Sequence, residues 1–251
     1  RAIKKVTGAS KVRLPFQVLT KIARVFRESN FEVRCVIRTS DEGDIFVYDV
    51  YPKSEDIVIG GLAIDIGTTT VSALLINMLT GEIIGKASAG NGQIRYGADV
   101  INRIIESMKP GGSEKLQKAV IDETINPLIQ QMCRANGFKP EHIYRMSIAA
   151  NTTMNHLMAG MEGDPIRMEP YIPTFYKTNS LFASDIGIAI NRDAHIIIAP
   201  NIGSYVGGDI TAGALVSMLW NRPEFSLFID LGTNGELVFG NSDFMMSCAC
   251  S

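Results

Sequence analysis

GLAIDIGTTTVSALLIN, residues 61–77, is an apolar run that stops at Asp65, turns through Gly67 and three threonines, and becomes apolar again. The pattern predicts strand, turn, strand. Gly67 permits a turn that a Cβ would hinder, so successive N–H groups and the hydroxyls of Thr68, Thr69 and Thr70 can converge on an anion. Asp65, at the end of the first strand, faces that anion. A carboxylate beside phosphates requires a cation between them, and Mg2+, which keeps its waters and accepts both kinds of oxygen, is the natural choice.

The pattern returns near the other end as SLFIDLGTNGELVFGN, residues 226–241, with Asp230, Gly232, Thr233, Asn234 and Gly235 in the corresponding places. One such hairpin is weak evidence, since short motifs are unspecific. Two copies predict half-domains facing each other across a cleft, each offering a loop to one side of a polyphosphate. Neither copy is a G-x-x-x-x-G-K-[ST] or G-x-G-x-x-G loop, and neither of those patterns occurs in the chain.

Composition narrows the field. The chain has 251 residues, 46% of them apolar and 20% charged, with a net charge of −2. That is the composition of a globular protein and gives no sign of a nucleic-acid surface. No apolar run approaches the roughly 18 residues of a membrane span. The cysteines, at 35, 133, 248 and 250, do not form a disulfide framework, so a reducing, cytoplasmic setting is expected. Both ends read as cut, and a longer protein is expected.

Residues 14–29 place Phe16, Leu19, Ile22, Ala23 and Phe26 on one helical face, and period-two segments at 31–37 and 44–51 flank an Asp-Glu-Gly turn. Pro52 to Gly61 then marks a boundary. The expected domains are 1–58, a small α+β unit, and 59–251. In the second, the first hairpin and a strand at 82–89 form a meander, and Val100, Ile101, Ile104, Ile105 and Met108 give a helix with Asp99 and Arg103 on its surface. A long helix capped by Ser113 runs to Asn136-Gly137, kinked at Pro127 and burying Cys133. His142 is expected at the surface. Strand 143–150 leads into Asn151-Thr152-Thr153, at the N-terminus of a short helix containing His156, where open sheets place ligand contacts. Residues 162–179 read as a surface excursion, followed by strands at 185–190 and 195–200, with His195 structural. Gly207-Gly208-Asp209 opens a helix to Trp220 with Ile210, Ala214, Leu215, Met218 and Leu219 inward. Asp209 is a helix-start residue or a carboxylate that orients water or Mg2+ in the cleft. Cys248 and Cys250 read as reduced thiols rather than metal ligands.

DIGTTT at 65–70, GGDITAGAL at 207–215 and DLGTNGE at 230–236 resemble, in order, the first phosphate motif, the connecting helix and the second phosphate motif of the sugar kinase, actin and heat-shock chaperone ATPases. More narrowly, YGADVINRI, AANTTMNHLMAG and IDLGTNGEL, after a small αββ unit, resemble the reductive activators of corrinoid proteins. The resemblance implies an α/β fold of actin-like (ribonuclease H-like) half-domains with mixed sheets and flanking helices, incomplete at its C-terminal end. It implies an ATPase that returns an inactive Co(II) corrinoid to Co(I), with a corrinoid protein or methyltransferase as partner; a homodimer is compatible with it. ATP and Mg2+ are the implied cofactors, with Asp65 and Asp230 on hydrated Mg2+, Gly67, Thr68, Thr69, Thr70, Gly232, Thr233, Asn234 and Gly235 on phosphates, and Asp209 on water. A [2Fe-2S] cluster is implied in a preceding region and adenosine contacts in a following one, so these residues alone should bind nucleotide poorly. The alternatives are a small-molecule kinase of the same superfamily, a reactivase of another radical or dehydratase enzyme, and an actin-like assembling protein.

Overall fold

The computed structural model describes residues 2–232 and 234–250. The chain divides into two compact units, residues 1–59 and 60–251. In the first, α1 (Ala2–Thr7), β1 (Val12–Arg13) and α2 (Phe16–Glu28) precede the strands β2 (Val33–Thr39) and β3 (Ile45–Pro52). β2 and β3 pair antiparallel across the Asp-Glu-Gly turn, and β1 adds parallel to β3. Val18 and Val25 of α2 pack with Ile45, Val47 and Val50. Of the stripe the spacing suggested, Ile22 and Phe26 pack against this core, whereas Phe16, Leu19 and Ala23 face outward. Phe16 is 80% exposed, because α2 carries two apolar stripes and the sheet takes the β-branched one.

The second unit is built on a mixed sheet of β4 (Gly60–Ile66), β5 (Thr70–Asn77), β6 (Ile83–Gly90), β7 (Ile143–Ala150) and β8 (His195–Ile198), in the order β6-β5-β4-β7-β8. The first three strands form the expected antiparallel meander, whereas β7 and β8 run parallel to β4. Between β6 and β7 lie α3 (Val100–Ser107), α4 (Gly112–Val120), a π-helical turn (Ile121–Ile125) and α5 (Asn126–Ala135). Leu75, Met146 and Ile148 of the sheet and Leu116, Ile129 and Met132 of the helices form one buried core, with Cys133 inside it. The anticipated single helix over 113–136 is thus interrupted by the π turn just ahead of Pro127, the residue that lacks an N–H. Gly111, left-handed at φ 69°, occupies the cap in place of Ser113, whose hydroxyl donates to Ser107 O. His142 is half-buried against the Phe138 ring.

After β7 come α6 (Thr152–Met158), the short α7 (Asp164–Arg167) and α8 (Ala183–Ile186), then α9 (Gly208–Val216). Residues 185–190, read as a strand, begin instead at the end of α8, whose N3 Asp185 accepts from Phe182 N–H. β9 (Ser226–Leu231), β10 (Gly235–Gly240) and β11 (Met245–Cys250) form a second, antiparallel sheet. In α9 the sequence overestimated burial: Ile210 is buried, but Leu215 is 62% exposed.

What fixes α9 is close backbone packing. A Cβ on Gly207 would lie 2.4 Å from Asn151 Cα and one on Gly208 2.3 Å from Ala199 O, so the helix start sits directly on the ends of β7 and β8. Gly207→Ala is expected to lower the urea unfolding free energy by about 1–3 kcal/mol by overpacking. An unchanged midpoint would mean that α9 does not rest on Asn151.

Candidate functional site

The loop between β4 and β5 is shaped by donors that pull its carbonyls inward. Asn91 Nδ2 donates to Gly67 O at 2.9 Å, Arg103 Nη2 to Thr68 O at 2.6 Å, and Asn91 N to Thr69 O at 2.8 Å. Both intervening peptides are trans, the one cis bond among the described residues being Glu169-Pro170. In a trans peptide the N–H points opposite to the C=O. The Thr68 and Thr69 N–H groups are therefore turned away from Asn91 and Arg103, and neither has a partner among the described residues. Gly67 N–H is engaged by Thr70 O at 2.9 Å, and a Cβ on Gly67 would stand 2.8 Å from that oxygen. Glycine is required by this approach. Asn151 caps α6 by accepting from Met154 N–H and reaches Thr68 Oγ1 at 3.4 Å.

This loop lines a cavity of about 640 Å³ together with Asp65, Ser72, Asn151, Asp209, Asp230, Gly232, Asn234 and Glu236. The topology thus brings both hairpins and the start of α9 to one place. Thr233, also expected there, lies outside the described residues. No Lys, Arg or His is among the lining residues described. Four carboxylates consequently face one another without a basic neighbour. Burial, then the charges of Asp230 and Asp65, push Asp209 up to about 6, against the lowering effect of Ile210 N–H, which donates to its Oδ1 at 2.8 Å. Asp65 is raised by burial and by Asp230, and Glu236 by burial and by Asp209 and Asp230.

Glu236 is the carboxylate that the sequence reading passed over. Aligned by motif it falls opposite Val71, a core residue. The second hairpin closes one residue sooner: Asp65 pairs with Ser72, but Asp230 pairs with Glu236. The shorter loop turns Glu236 onto the aspartate face, since register decides the face of every residue.

Arg103 lies in the 96–103 stretch that the sequence leaves as either a plain helix start or a ligand contact. Expected on the surface, it is fully buried, whereas Ile101, Ile105 and Met108 of the same helix, expected inside, are exposed. Asp99 instead caps α3, accepting from Asn102 N–H at 2.8 Å. The remaining candidates resolve plainly. His156 is core: its Nε2 accepts from Thr174 N–H, its Nδ1 bonds Thr152 O, and it stacks on Phe175 at 4.5 Å. Burial holds it below the usual histidine range. His195 sits edge-on to Phe182, and Cys248 is exposed on β11; the side chain of Cys250 lies outside the description.

The cavity's donors suit a hydrated divalent cation. Among the described residues no three His, Cys, Asp or Glu side chains are gathered closely enough to ligate a metal directly. Hard carboxylate oxygens without a countercharge are what an ion that keeps its waters takes. Among the described residues, no helix is long and apolar enough to cross a membrane.

Comparison with known proteins bears on the family and the fold. The family described as "RACo middle region" matches residues 60–222, and "C-terminal domain of RACo the ASKHA domain" matches residues 224–251. "Corrinoid activation enzyme RamQ" of Eubacterium limosum is 31% identical over 239 residues, which is 94% of this chain and 39% of the relative. The solved structure titled "Reductive activator for corrinoid,iron-sulfur protein" superposes with a TM-score of 0.89 at 38% identity, over 99% of this chain and 39% of that one. This chain therefore spans 39% of the length of each. The expected fold class, actin-like with mixed sheets and flanking helices, is borne out.

The carboxylate cluster has a consequence for stability. A folded-state pKa of about 6 lies above the ordinary aspartate value near 4. Asp209 is thus neutral at low pH, and its ionisation opposes the folded state as pH rises through about 6. Denaturation without metal or nucleotide is expected to show that Asp209→Asn gains about 1–2 kcal/mol over the parent at pH 7.5 and little at pH 4. An equal difference at both pH values would contradict the buried, repelled carboxylate.

Proposed function

This chain belongs to the RACo family, and we propose that it is the nucleotide-handling part of an ATP-dependent reductive activator that returns a corrinoid protein from Co(II) to Co(I). The observation that carries this reading is the shared cavity, lined both by the Thr68–Thr69 turn and by carboxylates at 65, 209, 230 and 236. A bare polyphosphate would be repelled by those carboxylates, whereas a magnesium–nucleotide complex matches both halves of the lining. The printed names of the two relatives, one a corrinoid activation enzyme and the other a reductive activator, supply the partner class.

In this reading Asp65 and Asp230 would hold a hydrated Mg2+, which would neutralise phosphate charge. The residue 67–70 loop takes phosphate oxygens on one side and residues 232–235 on the other. Asp209, with its proton affinity near neutrality, holds and deprotonates the attacking water. A [2Fe-2S] cluster, held by residues other than these 251, would supply the one electron that takes Co(II) to Co(I). ATP acts by binding the two arrangements of the cleft unequally, since a ligand shifts an equilibrium only through differential affinity. The chemistry suits a reducing cytoplasm.

The test uses the full-length protein with an oxidised corrinoid protein and a reductant, following ATP hydrolysis and the cobalt absorption together. Partner-stimulated hydrolysis with appearance of Co(I) is expected. Asp65→Ala should reduce Mg2+-dependent turnover about 100-fold or more; turnover equal to the parent's would refute the assignment of Asp65.

A further inference from the structure

Arg103 is a charge buried where stability alone gives no reason for one. Its side chain is fully buried, and it makes no ion pair with any described carboxylate. Its partners are neutral: Gly97 O at 2.9 Å, Gln93 Oε1 at 3.4 Å, Met154 Sδ at 3.2 Å and Thr68 O at 2.6 Å. The anion that acts on it, Asp99, is already engaged with Asn102 at the start of α3. A buried cation is tolerated when hydrogen bonds satisfy it, but an apolar side chain of similar size is commonly as stable or more so.

Its placement supplies the reason. One peptide unit separates the guanidinium from the cavity, with the Thr68 carbonyl on Arg103 and the Thr69 N–H on the opposite side. Donation from a charged group polarises that peptide and strengthens its N–H as a donor. We propose that Arg103 is a positioning residue of the phosphate subsite, fixing the Thr68–Thr69 peptide and supplying from beneath the loop the positive charge that the cavity lining lacks. The inference rests on the nucleotide reading and adds to it that the phosphate end of the ligand is sensed by α3. It also explains why α3 buries its arginine and leaves Ile101, Ile105 and Met108 outside.

The test measures calorimetric binding of MgATP and of inorganic tripolyphosphate, together with ligand-free thermal unfolding, for the full-length protein and its Arg103→Met and Arg103→Lys variants. Arg103→Met is expected to weaken both ligands about tenfold or more, with a ligand-free melting temperature equal to or above the parent's. Arg103→Lys, which keeps the charge but not the planar fork, should fall between. A structural role alone would lower the melting temperature and leave the affinity of the folded protein unchanged, overturning the proposal. Should Arg103→Met fail to fold, an Arg103→Lys affinity equal to the parent's overturns it in the same way. A parent protein that binds neither ligand would overturn the nucleotide reading as well as this one, whereas binding by the parent that Arg103→Met retains overturns this one alone.

Discussion

Mutual repulsion among Asp65, Asp209, Asp230 and Glu236 is the constraint that the second unit is arranged to withstand. Charges that share a partly dehydrated cavity interact more strongly than at an open surface, and burial together with neighbouring charge has already raised Asp65, Asp209 and Glu236. Such a cluster opposes folding unless other contacts hold it. Here the sheet core does so, with Ile64, Leu75, Met146 and Ile148 almost fully buried beneath the hairpin that carries Asp65. Strain of this kind at a site is commonly retained because relieving it removes function.

Asp209 is held differently, through contacts that glycine makes available on both sides of α9. Gly207 and Gly208 rest on Asn151 and Ala199 at the ends of the first sheet, and a Cβ on Gly213 would meet Phe228 of β9 at 2.3 Å. The helix therefore touches the strand ends of one sheet and the face of the other. Both contacts are backbone-close, so α9 has little room to shift relative to either sheet.

The three-strand meander, β7 and the second hairpin fall where the sequence places them, because alternation and Gly-containing turns are local signals, whereas the strand read at 185–190 is absent. Asp65, Asp209 and Asp230 were legible through their motifs. Failures cluster where a face had to be chosen. In α2 two apolar stripes compete, and only the sheet decides between them. In α3 the helix is turned by Arg103, so that a long-range bond to Thr68 overrides its apolar periodicity. Glu236 was hidden because motif alignment assumes equal loops, while hydrogen bonding closes the second hairpin one residue earlier. The fold follows from local pattern; these site residues follow from register and from contacts distant in sequence.

That difference between the hairpins leaves the cavity electrically uneven. The first loop brings two amides without a partner among the described residues, backed by the Arg103 charge, and its peptides are oriented by Asn91 and Arg103. The second closes on itself, with Gly232 N–H donating to Asn234 O at 3.0 Å, and sets Asp230 directly across from Glu236, with Asp209 near both. Like charges directly opposite on a ladder destabilise it. A ligand whose own charge is divided between an anionic end and a bound cation relieves that repulsion in one orientation and aggravates it in the other. The uneven closure of two similar motifs thus gives the lining of the cleft a direction, with backbone amides at the first loop and the Asp230–Glu236 pair on the second hairpin.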